Sequence, residues 1–378
     1  TEREQEIEVF QPKEFWTLNI IFKNNKNEKI NTTISQLDGN KVEKFSFKNK
    51  QDINDALSRI KNKKYAITDI SSKTYNRNPS GPFTTSTLQQ TASSKLGFGA
   101  SRTMQIAQRL YQGIDIEGET VGLITYMRTD GTNISKDAIT SFRDFIMQNY
   151  GDKYLPEQPL NYSGKKAKNA QEAHEAIRPT DCNREMVNLE NLGESEKKLY
   201  RLIWQRTIAS AMPLWIQEVY TIVIKSDYSE DEGVYTSNLF KTIQQGWKDV
   251  YQEVTEDELE KQAECNEKQL ELFKKGNEVK LVVMNTEEKK KNPPHPRYSE
   301  ASLVKHLDKL GIGRPSTFSQ MISIVQTRNY AKKGNVDGVM INLKNFSITP
   351  NSKLSITTKD KKWGAEKNKL VPLALGKT

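Results

Sequence analysis

The 378-residue sequence contains two cysteines, Cys182 and Cys265, and three histidines. Two cysteines exclude a four-thiolate zinc site and argue against a disulfide framework, which fits a reducing compartment and a cytoplasmic location. No run approaches the ~20 apolar residues that a membrane span needs, and no signal-peptide pattern is visible, so no membrane partner is expected. The glycine-rich loop that cradles nucleotide phosphates is missing, as is any internal repeat. Hydrophobic residues make up 35% of the chain and mean hydropathy is −0.75. What is present offsets that polarity. Thirteen Phe, 14 Tyr and five Trp supply ordinary cores and exclude wholesale disorder. Fifty-seven Lys and Arg against 48 Asp and Glu give a net charge of +9, a mild lean toward a polyanion. Length suggests two or three domains. The first residue is Thr1, and the sequence reads as part of something longer.

Periodicity divides the chain. TEREQEIEVF is helix-friendly and closes at Pro12, after which Trp16, Leu18, Ile20 and Phe22 alternate at the strand period. KVEKFSF and KYAITDI are further strand candidates, and SSKTYNRNPSGP is expected to break regular structure. From Thr84 the period becomes helical: Leu88, Ala92 and Leu96, then Met104, Ala107 and Leu110, then DAITSFRDFIMQNY and SEKKLYRLIWQRTIASAM. Strand patterns return at VYTIVIK, GVYTSNLFKTI and NEVKLVVMN, so the two β regions read as halves of one sheet domain interrupted by a helical unit. Residues 286 to 297 read as a charged, proline-rich connector. SEASLVKHLDKL and STFSQMISIVQTRNY follow as two helices joined by GIGRP, with a strand candidate at GVMINL.

Three segments carry candidate chemistry. GLITYMRTDG reads blandly as a strand end with a buried tyrosine and a solvated Arg–Asp pair. Read for function, Tyr126 is a nucleophile and Arg128 its neighbour. A free phenol titrates near 10 and attacks poorly at neutral pH, whereas a guanidinium favours the phenolate and holds phosphoryl oxygens as charge builds. In QEAHEAIRPTD, His174 sits among Glu172, Glu175 and Arg178 on a helix-friendly segment: either a surface histidine or a donor to a phosphate or an acidic partner. His295 and His306 read as structural or solvated. The helix pair is an αα-hairpin in outline. Arg297, Lys305, Arg314, Ser316 and Thr317 would alternatively line a track for backbone phosphates.

Taken together, GLITYMRTDGTNIS, QEAHEAIRPTD, PFTTSTLQQTASSKLGFG and RYSEASLVKHLDKLGIGRPSTF resemble the type IA DNA topoisomerases, in the bacterial topoisomerase I branch. The segments occur in the family's order and the likeness spans essentially the whole chain. Met after the tyrosine favours topoisomerase I over topoisomerase III, which usually has Pro there. The resemblance implies a multi-domain α+β toroid core in which helical domains are linked by a β arch. It implies the end of a strand-gripping helical domain at 1–14, the first part of the arch at 15–82 and the tyrosine-bearing helical domain at 83–213. The second part of the arch would follow at 214–285, and the rest of the gripping domain at 286–378.

The resemblance makes Tyr126 the nucleophile that takes a 5′ phosphate, with Arg128 beside it, His174 ordering the phosphate and acids, and Asp130 in support. Negatively supercoiled DNA would be relaxed through single-strand cleavage, strand passage and resealing, without ATP. Single-stranded DNA would be the direct partner, bound by a monomer. Mg2+ is implied too, but the family's acidic Toprim domain has no counterpart here, and YSEDEG at 228–233 is a hairpin-loop stretch of another pattern. No metal ligands are therefore expected in this chain, and the isolated chain is expected to be inactive. Gly131 stands where the family usually has Ser. The rival expectation is a non-enzymatic module that binds single strands through the helix pair at 299–330.

Overall fold

The computed structural model describes residues 2–61, 63–116, 118–162, 174–184, 192–226, 233–253, 265, 270–293, 295–351 and 353–377. A short helix, α1 (Glu2–Val9), leads into β1 (Glu14–Lys23), whose Trp16, Leu18, Ile20 and Phe22 point inward at the expected period of two. β2 (Lys29–Leu37), β3 (Asn40–Lys41), helix α2 (Lys50–Ile60) and β4 (Tyr65–Arg77) follow. The second strand is thus KINTTISQL rather than KVEKFSF, which forms turns and one bridge, Trp16 to Phe47. β4 also runs on through SSKTYNR, because β7 (Trp215–Ser226) pairs with it along its length, from Tyr65 opposite Ser226 to Arg77 opposite Trp215. Pairing along a whole edge overrides the weak strand propensity of that sequence.

β8 (Val234–Gln244) and β9 (Glu278–Lys290) complete the arrangement. β1, β2, β8, β7, β4 and β9 pair in that order, and β9 pairs back to β1, so six strands close a ring. The two β regions are one sheet, and closure removes the edges that open sheets must protect. Its core holds Ile20, Phe22, Ile67, Tyr235 and Met284, with α2 contributing Ile53, Leu57 and Ile60. The expected connector at 286–297 begins as the end of β9, which runs to Lys290. Of YSEDEG, only Gly233 falls within the described residues.

The helical unit comprises α3 (Thr85–Leu96), α4 (Ala100–Gln112), the small β5 (Ile114–Ile116) and β6 (Glu119–Val121) hairpin, α5 (Lys136–Tyr150) and α6 (Glu194–Ser210). Hydroxyl caps start two of the helices: Thr84 accepts from the Thr87 N–H and Ser135 from the Ala138 N–H. A second core forms here from Leu88, Leu110, Ile124, Phe142, Ile146 and Ile203, among others.

Residues beyond 297 hold more strand than the helical domain expected at 286–378, and the strand candidate GVMINL falls largely in the second of these strands. Helices α7 (Glu300–Leu310) and α8 (Phe318–Thr327) are followed by β10 (Ala331–Val336), β11 (Val339–Ile348), β12 (Leu354–Trp363), β13 (Glu366–Pro372) and the short α9 (Ala374–Lys377). β10 pairs with β13, and the β11–β12 hairpin is inserted between them. β11 pairs with β9, from Asn345 opposite Glu287 to Ile348 opposite Met284, which ties the insertion to the main sheet.

Candidate active site

Tyr126 lies on an irregular segment with one bridge rather than on a strand, and backbone bonds hold that segment from both sides. On one side the start of α3 grips it. The Thr85 N–H donates to the Thr129 carbonyl at 2.9 Å, and the Thr85 hydroxyl donates to the Met127 carbonyl at 2.7 Å. The Thr129 N–H returns a bond to the Thr85 hydroxyl oxygen at 2.9 Å. On the other side runs the chain from His174 to Thr180. The Thr125 N–H donates to the Arg178 carbonyl at 2.9 Å, the Arg178 N–H to the Thr125 hydroxyl oxygen at 3.0 Å, and the Thr125 hydroxyl to the Ala176 carbonyl at 2.7 Å. Leu123, Ile124 and Met127 are buried beneath. This leaves Tyr126 half-buried with Arg128 and Asp130 exposed on the outer side.

The segment around His174 is not the expected helix. The described part, from His174 onward, is extended and bridges to Phe83 at Ile177 and to Ile124 at Pro179. Glu172 lies outside the described residues. Extension brings the His174 ring to 4.7 Å from the Tyr126 ring, centroid to centroid, and the Thr129 hydroxyl donates to the His174 carbonyl at 3.2 Å. Glu175 accepts from the Arg178 guanidinium at 2.9 Å and from the Ser135 N–H at 3.1 Å. Partial burial pushes the Glu175 carboxyl up, but those two donors and the Arg178 charge outweigh burial and hold it below the usual carboxylate range.

The structure adds two residues that the sequence did not mark. Tyr111, in the last turn of α4, sets its ring edge-on to Tyr126 at 5.3 Å. Thr85 is fully buried and makes three of the bonds above. Nothing in the sequence ties Tyr111 to Tyr126. Thr85 hides in a hydroxyl run that reads simply as a helix cap.

The expected phosphate track is only partly assembled. Lys305, Arg314 and Ser316 are exposed on or between α7 and α8. Gly311, at φ 69°, supplies the left-handed residue that ends α7 before the GIGRP turn. The Thr317 hydroxyl is engaged in that turn, accepting from the Arg314 N–H at 2.8 Å. Arg297 does not belong to the track. Its side chain is 13% exposed and forks between Glu4, at 2.6 and 2.8 Å, and Glu366, at 3.0 Å. With three of its five N–H donors and its charge committed to two carboxylates, and little of it exposed, this guanidinium is not presented to a phosphate. The helix pair is fastened to α4 by Glu300, which is 8% exposed and accepts from the Ala100 N–H at 2.9 Å. A Cβ at residue 99 would stand 2.7 Å from the Glu300 carboxylate, so a larger residue there must push that carboxylate aside.

Among the described residues no group of three or more His, Cys, Asp or Glu is arranged to hold a metal ion. Glu175 is committed to Arg178 and Ser135. The described residues therefore do not fit the Mg2+ that the resemblance implies. Nor is any described helix long and apolar enough to cross a membrane.

Comparison with known proteins identifies the family. A family model described as DNA topoisomerase matches residues 1–344. The chain is 45% identical over 331 residues to a DNA topoisomerase 1 of Rickettsia felis, covering 87% of this chain and 42% of that protein. It is 40% identical over 336 residues to a DNA topoisomerase 1 of Xylella fastidiosa, covering 87% of this chain and 40% of that one. A solved structure of full-length topoisomerase I from Thermotoga maritima superposes with a TM-score of 0.71 at 32% identity, over 88% of this chain and 50% of that one. The chain thus spans about two fifths of the length of the curated relatives it matches.

Proposed function

Since the chain belongs to the bacterial type IA DNA topoisomerase family, we propose that it is the strand-cutting core of such an enzyme and that Tyr126 is the nucleophile. One observation carries the reading: a half-buried tyrosine, fixed by backbone bonds on two sides, meets a histidine ring at 4.7 Å with an arginine two residues on. In the proposed step the Tyr126 phenol gives up its proton and attacks a phosphodiester of a single strand. A bond forms between the phenolic oxygen and phosphorus, the bond to the 3′ oxygen breaks, and that oxygen takes a proton. The strand is held through a 5′-phosphotyrosine, and reversal reseals it. Bond energy is conserved in the ester, so ATP is not consumed. Arg128 neutralises charge on the phosphoryl oxygens, His174 donates to the same phosphate, and Asp130 supports them. Lys305, Arg314 and Ser316 hold the strand by its backbone.

The acids and Mg2+ implied by the resemblance would come from outside these residues. The substrate of the whole enzyme is then negatively supercoiled DNA. In a protein that includes the acidic upstream domain, Tyr126→Phe should abolish strand cleavage and leave single-strand binding within about twofold. The check is a denaturing gel for a covalent protein–DNA adduct beside a binding titration. An adduct that survives in Tyr126→Phe overturns the assignment. Wild-type protein that binds single strands but never forms an adduct favours the non-enzymatic module instead.

A further inference from the structure

Positive charge is concentrated at one end of the chain. Residues 331–378 hold ten lysines against three acids, seven of the chain's net nine positive charges. Much of this sits on the β11–β12 hairpin, and the family match ends at residue 344, partway along β11. The described residues of the hairpin form ten consecutive cross-strand pairs, from Val339 opposite Trp363 to Ile348 opposite Leu354. Its turn end is anchored, with Asn345–Ile348 of β11 joined to β9 and the Phe346 ring stacked on Trp16 at 5.3 Å. β12 is exposed along nearly its whole length, and among the described residues it pairs only with β11.

From these features we infer that the outer edge of β12 is a docking surface for the sugar-phosphate backbone of duplex DNA. The inference rests on the reading that the chain acts on DNA. Lys359 and Lys361 project from one face of the ribbon, opposite Leu343 and Ile341, and Lys362 from the other. Two residues along a strand span about 7 Å, close to the step between successive phosphates. Among the described residues Lys359 and Lys361 form no ion pair, and Lys362 has only a loose, exposed contact to Asp337 at 3.8 Å. The unpaired N–H groups of the edge add neutral phosphate donors. A single strand would call for exposed rings on which bases stack. The hairpin has two rings, Phe346 buried and Trp363 half-buried, which favours the duplex. Lysine on an edge strand also blocks unwanted sheet pairing, but one or two residues suffice for that.

The test uses the 378-residue chain with Lys359→Gln, Lys361→Gln and Lys362→Gln combined. Binding to a labelled duplex of ~20 base pairs and to labelled oligo(dT) is measured by fluorescence anisotropy across a salt series. Each lost phosphate contact should flatten the slope of log affinity against log salt by about 0.9, so the duplex slope should fall by about 2 to 3. The oligo(dT) slope should stay unchanged, as should the melting temperature, because these side chains are exposed. An unchanged duplex slope overturns the inference, and so does an equal fall for both DNAs. If wild-type chain binds oligo(dT) but no duplex, the docking surface alone is wrong. If it binds neither, the DNA reading falls and the docking surface with it.

Discussion

The loop that carries Tyr126 and the helix pair that carries Arg314 are held by opposite means. Around Tyr126 the fixings are bonds to backbone, donated or accepted by Thr85, Thr125 and Thr129, above a large apolar core. α7 and α8 rest on a cluster of four buried residues, Ala100, Val304, Phe318 and Ile322. Their ends are secured by charge: Arg297 between Glu4 and Glu366, and Glu300 on the start of α4 with Lys333 3.3 Å away. The difference follows from what each must do. A nucleophile tolerates displacements of about half an ångström, which backbone anchoring can guarantee. Long lysine and arginine side chains that grip phosphates tolerate far more, so a light, partly electrostatic attachment suffices.

The largest expected effect comes from removing that charge. Arg297→Ala strips both nearly buried carboxylates of their guanidinium, leaving Glu366 with only the backbone N–H of residue 297, which should cost about 3–5 kcal/mol in denaturant unfolding. Hydrogen exchange should speed up across α7 and α8 while the Tyr126 loop keeps its protection. A loss below about 1 kcal/mol would mean that the apolar cluster alone holds the pair. The next test compares equal truncations in the two cores. Ile203→Ala and Ile322→Ala each remove the same atoms from nearly inaccessible sites, within a range of about 2–5 kcal/mol. Ile203 should fall toward the top of that range and lower the melting of the whole helical unit, because its surroundings cannot relax. Ile322 should fall toward the bottom and loosen only the helix pair. Equal losses would erase the distinction.

The same contrast explains what the sequence disclosed. The helical unit was legible because its signals are local: apolar residues every three or four positions, and hydroxyl caps at Thr84 and Ser135. α2 carries the same signals, an Asn49 cap and then Ile53, Ala56, Leu57 and Ile60, but an Asn/Lys-rich neighbourhood masked them. β2 offers only Ile30, Ile34 and Leu37 among threonines and polar residues, and Leu37 falls out of step with the other two, so no alternation stands out. β12 buries neither face, so it has no alternation to read. At the site, Tyr126 and Arg128 stand out because they lie two residues apart in one short segment. Extension at His174 was hidden because EAHEA is helix-friendly by composition, and tertiary bonds to Phe83 and Thr125 decide otherwise. The role of Arg297 was hidden for a related reason: its partners lie 293 residues upstream and 69 downstream.

The smallest effect concerns a charged clamp beside the tyrosine, the Glu175–Arg178 pair. The Glu175 carboxyl is held below its usual range by Arg178 and the Ser135 N–H despite partial burial. A carboxylate whose folded pKa lies below its unfolded value, near 4.3, binds fewer protons when folded. Its stabilisation is therefore fully present above that unfolded value and is lost as pH falls through the folded one. Glu175→Gln should accordingly be less stable than wild type at pH 6–7, and the gap should close on the acid side of about pH 4. The carboxyl is partly exposed, so solvent screens it and the neutral-pH loss should be modest and should shrink with added salt. Paired urea titrations at several pH values check this. A gap that persists unchanged at pH 3 would mean that Glu175 holds the loop by shape and neutral hydrogen bonding. The Tyr126 loop would then not depend on the charge of this pair, which sharpens its contrast with the helix pair.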